Sequence, residues 1–439
     1  MRRFFFWLFV FSCCCPLASS ARSREEAVRG AEGERLALPA VDLAAAQRAD
    51  EQMVAAGGVA AFAVPLAVDA NPWLYGRWQR SDEKTLRWRL AISSPGARSL
   101  SLAFDQLVLP PGARLLFESA DGRRRLAPVT AAQVSGKALW TAPLSGDELV
   151  VELVLPLAEL DQLELHLSRV HHGYAGFGEA ALDKVGSCHR DLACAEAEEW
   201  REAGRAVGLV VVDGIRFCTG FLVNNTARDG RPLLLTAGHC GIGPRSAASV
   251  VVMWDYRRKS CGGDTSGEPG RVFQSGARFL ARHDATDIVL LELSRRPDAE
   301  AKVLWAGWDR GEEETPRTAV VHHPGTDAQR LALDVDRPRR TEFLDDAESP
   351  SGPYWRVSWE LGSTEGGSSG APLFDAEGRV IGVLRGGLAA CGRREPDYFG
   401  RLAAAWDGRG PSQRLRDWLD PLGSGRLRID SLSPRTRSE

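Results

Sequence analysis

Lysine is almost missing from this chain. Of its 55 basic residues only Lys84, Lys137, Lys184, Lys259 and Lys302 are lysines, in a sequence of 439. A compositional bias of the genome accounts for that count as well as a functional cause does, so by itself it excludes nothing. Other absences exclude more. Cysteine does not occur between Arg22 and Gly186, so that stretch has no disulfide framework and no thiolate chemistry. No Cys-x-x-Cys pair with matching histidine spacing is present, which argues against a zinc site; no metal or other cofactor is expected. Neither sign of charge dominates, the formal net charge being -3, so nothing marks nucleic acid or an anionic membrane surface as a partner. After Cys15 no apolar run approaches the length of a membrane-spanning helix.

What is present begins with a targeting segment. Arg2 and Arg3 give a positive start, Phe4 to Cys15 is an apolar run, Pro16 breaks it, and the small residues Ala18 to Ala21 offer a cleavage site. Residues 1–21 therefore read as a signal peptide and the protein as secreted, extracellular or periplasmic. Phe11-Ser12-Cys13 is a poor lipidation match. Three of the nine cysteines fall in this segment, leaving Cys188, Cys194, Cys218, Cys240, Cys261 and Cys391. An even number in an oxidising compartment predicts three disulfides in one domain, and spacing alone leaves 15 pairings open.

Two folded regions follow. From about Leu86 to Leu167 short runs of alternating residues, such as Leu100-Ser-Leu-Ala-Phe104 and Glu148-Leu-Val-Val-Glu152, are divided by turn signals at Ser94-Pro-Gly, Pro110-Pro-Gly and Asp121-Gly. That pattern predicts a β-sandwich or jelly roll. His171-His-Gly-Tyr-Ala-Gly-Phe-Gly-Glu179 reads as a flexible join, its two histidines as linker residues rather than ligands, with a boundary near residue 184. The second region, about Val185 to Ser431, is again rich in short strands, among them Gly208–Val212, Phe217–Val223, Leu233–Leu235 and Ile288–Leu293. Ala371–Phe374 and Val380–Leu384 flank an Asp-Ala-Glu-Gly turn and read as a hairpin. Leu415, Trp418 and Leu419 at helical spacing before Pro421 predict one C-terminal helix. The fold class is all-β, and a double β-barrel suits this length.

Chemistry gathers in three places. Leu235-Thr-Ala-Gly-His239-Cys240 puts a histidine at the end of an apolar strand. Asp287 opens the apolar run Ile288–Leu293, where a carboxylate can be buried against an imidazole; Asp284 is its competitor. Glu365-Gly-Gly-Ser-Ser369-Gly-Ala-Pro-Leu373 offers a serine, and glycines before it let the backbone N–H groups of Gly367 and Ser369 turn toward an oxyanion. A serine hydroxyl needs a base to take its proton. Histidine, aspartate and serine in that chain order predict a catalytic triad of His239, Asp287 and Ser369.

These residues carry a resemblance. From Val185 onward the chain resembles bacterial lysyl endopeptidases within the trypsin-like superfamily, through Gly186-Ser-Cys188, Val223-Asn-Asn-Thr226, Thr236-Ala-Gly-His239-Cys240, Trp305-Ala-Gly-Trp-Asp309, His322-His-Pro324, Thr364-Glu-Gly-Gly-Ser-Ser369 and Asp397-Tyr-Phe-Gly400. The resemblance implies two six-stranded barrels with the triad between them, disulfides Cys188–Cys391, Cys194–Cys261 and Cys218–Cys240, and a long N-terminal pro-segment. Residues 22–184 then form a propeptide, 185–432 the peptidase domain and 433–439 a tail. It also implies that Asp397 meets a lysine ammonium in the primary pocket, with Arg385 and Gly386 as further substrate-binding positions. Two departures stand out: Arg385 replaces a family histidine, and the family's tryptophan upstream of the nucleophile has no clear counterpart around Phe343 to Ser351. Ser363 occupies the place, six before the nucleophile, of the acid that reads arginine in trypsin, and Ser368 replaces the aspartate that receives the new amine in trypsin-like zymogens. Lys184–Val185 is the expected self-processing site. The expectation is a monomeric serine endopeptidase whose partners are polypeptide substrates and its own propeptide. A protease of other specificity and a catalytically silent binding protein are the alternatives.

Overall fold

The computed structural model describes residues 35–55, 59–174, 186–263, 270–311, 313 and 315–434. The expected signal peptide, residues 1–21, and the expected processing site Lys184–Val185 lie outside them.

Alternation builds the N-terminal unit. Along Thr85–Ser93 the side chains of Leu86, Trp88, Leu90 and Ile92 are buried while Arg87 and Arg89 face water. This strand pairs antiparallel with Glu148–Pro156, Trp88 opposite Leu153. The two are the centre of one five-stranded sheet; the second has Glu164–Gly173 and Ser99–Val108 at its centre. Leu86, Trp88, Phe104 and Phe117 share the core between the sheets. A helix at Leu43–Ala55 precedes them; the Asp42 carboxylate accepts the Ala45 N–H at 3.0 Å as an N-terminal cap.

The reading of His171 and His172 as linker is corrected. Strand Glu164–Gly173 runs through both, pairing them with Ser101 and Leu100 on one side and with Pro65 and Val64 on the other. Both are buried. His172 Nδ1 lies 2.8 Å from Ser94 Oγ, and the His171 ring stacks on Trp140 at 5.4 Å. Two histidines before a glycine look solvated in sequence; distant serines and a tryptophan make them core residues.

The second region forms a chymotrypsin-like double barrel. A seven-stranded sheet runs Val272–Ser275, Val251–Trp254, Val207–Val212, Arg216–Leu222, Leu233–Ala237, Ile288–Leu293, Ala277–His283. Its two end strands are consecutive in the chain, separated only by Gly276, so the sheet closes on itself. The second barrel joins Arg330–Asp334, Thr318–His322, Pro372–Phe374, Val380–Gly387, Asp397–Arg401 and Tyr354–Val357, and a bridge from Leu361 back to Leu333 closes it. The expected hairpin is present, Pro372 opposite Val383. The C-terminal helix shrinks to one turn, Arg416–Leu419, with Leu415 and Leu419 buried. The three disulfides join Cys188 to Cys391, Cys194 to Cys261 and Cys218 to Cys240.

Strand Val207–Val212 is buried at every position, and the reason is tertiary. Val210 and Val212 enter the barrel core, whereas Leu209 and Val211 belong, with Val251, Met253 and Phe273, to the core of the N-terminal sandwich. Phe62 N–H donates to Ile215 O at 2.8 Å, Ala127 N–H to Arg271 O at 3.0 Å, and the Phe62 and Phe217 rings meet edge-on at 6.1 Å. The sandwich thus covers the outer wall of the first barrel.

Candidate active site

The site is assembled where the two barrels meet. Strand Leu233–Ala237 delivers His239 in a tight turn whose end is stapled by Cys240 to Cys218 on the adjacent strand. Across from it the turn Asp284–Thr286 ends in Asp287, held at φ 57° just before Ile288–Leu293 enters the barrel. That left-handed conformation aims the carboxylate back at the histidine turn. Asp287 Oδ1 accepts the His239 N–H at 2.9 Å, and Oδ2 lies 2.5 Å from His239 Nδ1. The same turn is clamped by Gly238 N–H donating to Asp287 O at 2.7 Å. Asp284 does not take part: its side chain is exposed and binds Arg282 Nε at 2.6 Å.

His239 Nε2 faces Ser369 Oγ at 2.8 Å. With Asp287 accepting at Nδ1, the imidazole carries its proton there and leaves Nε2 free to accept from the serine hydroxyl. The loop before Ser369 turns at Gly367, with φ 96°, where a Cβ would overlap the Phe217 ring; only glycine fits. Among the described residues neither Gly367 N–H nor Ser369 N–H donates to another protein group, while the Gly367 and Ser369 carbonyls accept from Thr219.

Asp397 opens strand Asp397–Arg401 opposite Gly387 and is 1% exposed. Its Oδ2 accepts from Trp359 Nε1–H at 2.7 Å and Thr364 Oγ1–H at 2.6 Å. Burial pushes its carboxyl up to about 6, and the hydrogen bonds from Thr364 and Trp359 oppose that rise. Gly387, paired with Asp397, packs so close that a Cβ there would collide with the Asp397 carboxylate, whereas a Cβ on Gly386, at φ 134°, would enter open space. Arg385 turns elsewhere: its Cζ lies 3.6 Å over the Phe343 ring and an Nη–H donates to Tyr354 Oη at 2.6 Å. Among the described residues no carboxylate lies within ion-pair distance of Arg385. Sequence reasoning missed Trp359, Thr364 and Tyr354. The aromatic partner of Arg385 proves to be Phe343, at the edge of the segment where none was evident.

A double barrel with serine, imidazole and buried carboxylate in series defines a class, the trypsin-like serine endopeptidases. Comparison then places the chain within it. The model of the lysyl endopeptidase C-terminal domain matches residues 182–400 and that of the lysyl endopeptidase N-terminal domain residues 37–174. A lysyl endopeptidase of Pseudomonas aeruginosa is 31% identical over 380 residues, covering 74% of this chain and 77% of the relative. The chain belongs to the lysyl endopeptidase family. Solved structures align more loosely. An inactive form of Rv3671c from M. tuberculosis H37Rv matches at 18% identity and TM-score 0.32, covering 49% of this chain and 90% of that one. Human heparin binding protein matches at 20% identity and TM-score 0.34, with the same coverage. Likeness of that degree carries no argument, and the fold assignment rests on the strand pairing above.

Proposed function

We propose that this protein is a secreted, monomeric endopeptidase that cleaves polypeptides after lysine, with Ser369 as nucleophile, His239 as base and then acid, and Asp287 as its orienting partner. Attack of Ser369 Oγ on the scissile carbonyl carbon transfers the hydroxyl proton to His239 Nε2, and the carbonyl oxygen takes up negative charge facing Gly367 N–H and Ser369 N–H. Collapse gives that proton to the leaving amine and leaves an acyl-enzyme. Water, deprotonated by the same imidazole, releases the second product and restores Ser369.

The observation that carries the lysine reading is the buried Asp397 carboxylate, against which Gly387 packs without a side chain. A carboxylate this poorly hydrated, with only two side-chain donors, gains strongly from an ammonium. Ser363 supplies no charge, and the guanidinium of Arg385 is engaged by Phe343 and Tyr354, which weakens the case that it repels a cation. Within this reading residues 22–184 are a propeptide removed by the enzyme itself at Lys184–Val185, and the scarcity of lysine leaves only Lys259 and Lys302 beyond that bond as targets. Cleavage-site profiling of the purified enzyme tests the specificity: cuts after lysine are expected, and a preference for arginine or an uncharged residue sinks it. Lys184→Gln should block maturation, read by N-terminal sequencing of the secreted product.

A further inference from the structure

Trypsin-like enzymes shape their oxyanion loop with a buried ion pair on the residue before the nucleophile, and here that residue is Ser368. The loop still has to be held. Ser368 is fully buried. Its Oγ accepts the Glu365 N–H at 3.1 Å and lies 2.7 Å from His322 Nδ1. Ser368 Oγ thus bridges the Glu365 amide and the His322 ring. His322, at the end of strand Thr318–His322, is completely buried, and desolvation first, then neighbouring positive charge, keeps it neutral.

A second prop stands beside it. His189 packs against His322 with ring centroids 5.6 Å apart, and its Nε2 lies 3.4 Å from Glu365 Oε1, within ion-pair range though longer than a formed hydrogen bond. The Gly186 N–H approaches both Glu365 oxygens, at 3.3 and 3.4 Å. Cys188, next to His189, is tied to Cys391. Burial alone would raise the Glu365 carboxyl; His189 and the Gly186 amide together hold it below its ordinary range. Glu365 and Ser368 are the two ends of one turn, closed by Ser368 N–H donating to Glu365 O at 3.0 Å, and Gly367 lies inside it.

We infer that Glu365 with His189 and Ser368 with His322 are positioning residues that fix the oxyanion loop, two side-chain contacts in place of the single buried ion pair. This rests on the serine peptidase reading above. Fixing both ends of the turn sets the peptide planes of Gly367 and Ser369, whose N–H groups must meet the oxyanion rather than the ground-state carbonyl.

The test uses the full-length secreted enzyme. Ser368→Ala and Glu365→Gln should each lower kcat per active site, titrated with a fluorophosphonate, by about tenfold with KM unchanged, less than the 10²–10³ typical of deleting an oxyanion donor outright. A peptide aldehyde, which forms a tetrahedral adduct, should lose about tenfold in affinity, while the matching peptide alcohol, which cannot, should bind as before. A role confined to stability would reduce the amount of titratable enzyme and the melting temperature, yet leave kcat per site and the aldehyde-to-alcohol ratio at wild-type values. That result overturns the inference. Half-buried Glu365 accepts the isosteric glutamine, so that variant decides if Ser368→Ala fails to accumulate. Wild-type protein that the fluorophosphonate does not label would instead overturn the peptidase reading itself.

Discussion

The two halves of this molecule solve the same problem, a β-rich core, by different means. The double barrel is stapled by three disulfides that close loops of 203, 67 and 22 residues, each worth about 2–4 kcal/mol. The N-terminal sandwich has none and draws on packing alone, including packing against the outer wall of the first barrel. Covalent restraint sits around the chemistry, at the His239 turn and beside His189. The sandwich is the half whose hold depends on solvent conditions, and the half that lends apolar cover to its neighbour. A core shared across the boundary in this way ties the folding of each half to the other.

The sharpest contrast is chemical, since catalysis should lie wholly in the stapled half. Ser369→Ala is expected to lower kcat by on the order of 10⁶-fold while a folded precursor is still secreted. Asp287→Asn should cost about 10⁴-fold and Asp284→Asn almost nothing, given its exposed carboxylate. Steady-state assays of the three variants check this, and loss of activity in Asp284→Asn alone would show that the acid had been misassigned.

Next comes the shared wall. Phe62 is 1% exposed and seated on Phe217, so Phe62→Ala should cost about 3–5 kcal/mol of stability, measurable by denaturant unfolding. A chain starting at Val185 would expose Leu209, Val211, Val251, Met253 and Phe273 to water. It should give poor yields of active enzyme, recoverable by adding the sandwich in trans; full yield without it would break the comparison.

Acid should part the halves before it opens the barrel. Burial, foremost, holds His171 down to about 4, below the 6.5 of a free imidazole, with Arg169 acting in the same direction. A depressed histidine favours the folded state fully above pH 6.5, and that contribution, about 3 kcal/mol, is lost as pH falls toward 4. A Cβ on Gly214 would collide with the His171 ring, so the histidine packs on the barrel's Asp213–Gly214 turn. His323 and His322 are depressed likewise inside the barrel, where the disulfides oppose opening. Tryptophan fluorescence between pH 7 and 4 should therefore report loss of the Trp140 environment first; His171→Phe should shift that transition to lower pH.

The smallest effect tests the pocket. Asp397→Asn should cut kcat/KM on lysine substrates about a hundredfold, or about 2–3 kcal/mol for one lost charge partner. In the wild type, cleavage after lysine relative to cleavage after an uncharged residue should fall as pH drops through about 6, where the raised carboxyl takes up a proton; the ratio cancels protonation of His239, which slows both alike. Stability runs the other way for this group: its contribution is complete below 3.8 and is lost as pH rises through about 6. A lysine-to-uncharged ratio that stays flat below 6 in the wild type would remove Asp397 from the pocket.

Much of this was legible in the sequence because each proposed catalytic group sits in a local pattern: an apolar strand ending in His239, one opening after Asp287, a glycine run before Ser369. Alternation exposed the sandwich for the same reason. What sequence could not show depends on neighbours far along the chain. Trp359 and Thr364 serve Asp397 only after the second barrel closes. His171 and His172 became core residues through Ser101 and Ser94. The helix Leu43–Ala55 did leave a signal, Asp42 before an alanine-rich run, but its weak apolar stripe hid it.

The doubly buried strand Val207–Val212 also has a bearing on the order of synthesis. The sandwich is encoded first, so its strands can pair while the barrel is still being made. When Leu209 and Val211 emerge, a complementary surface already waits for them, and the most apolar stretch of the barrel need never meet solvent or another chain. Reversing the order of the two halves in a fusion would leave every native contact available and still remove that protection during translation.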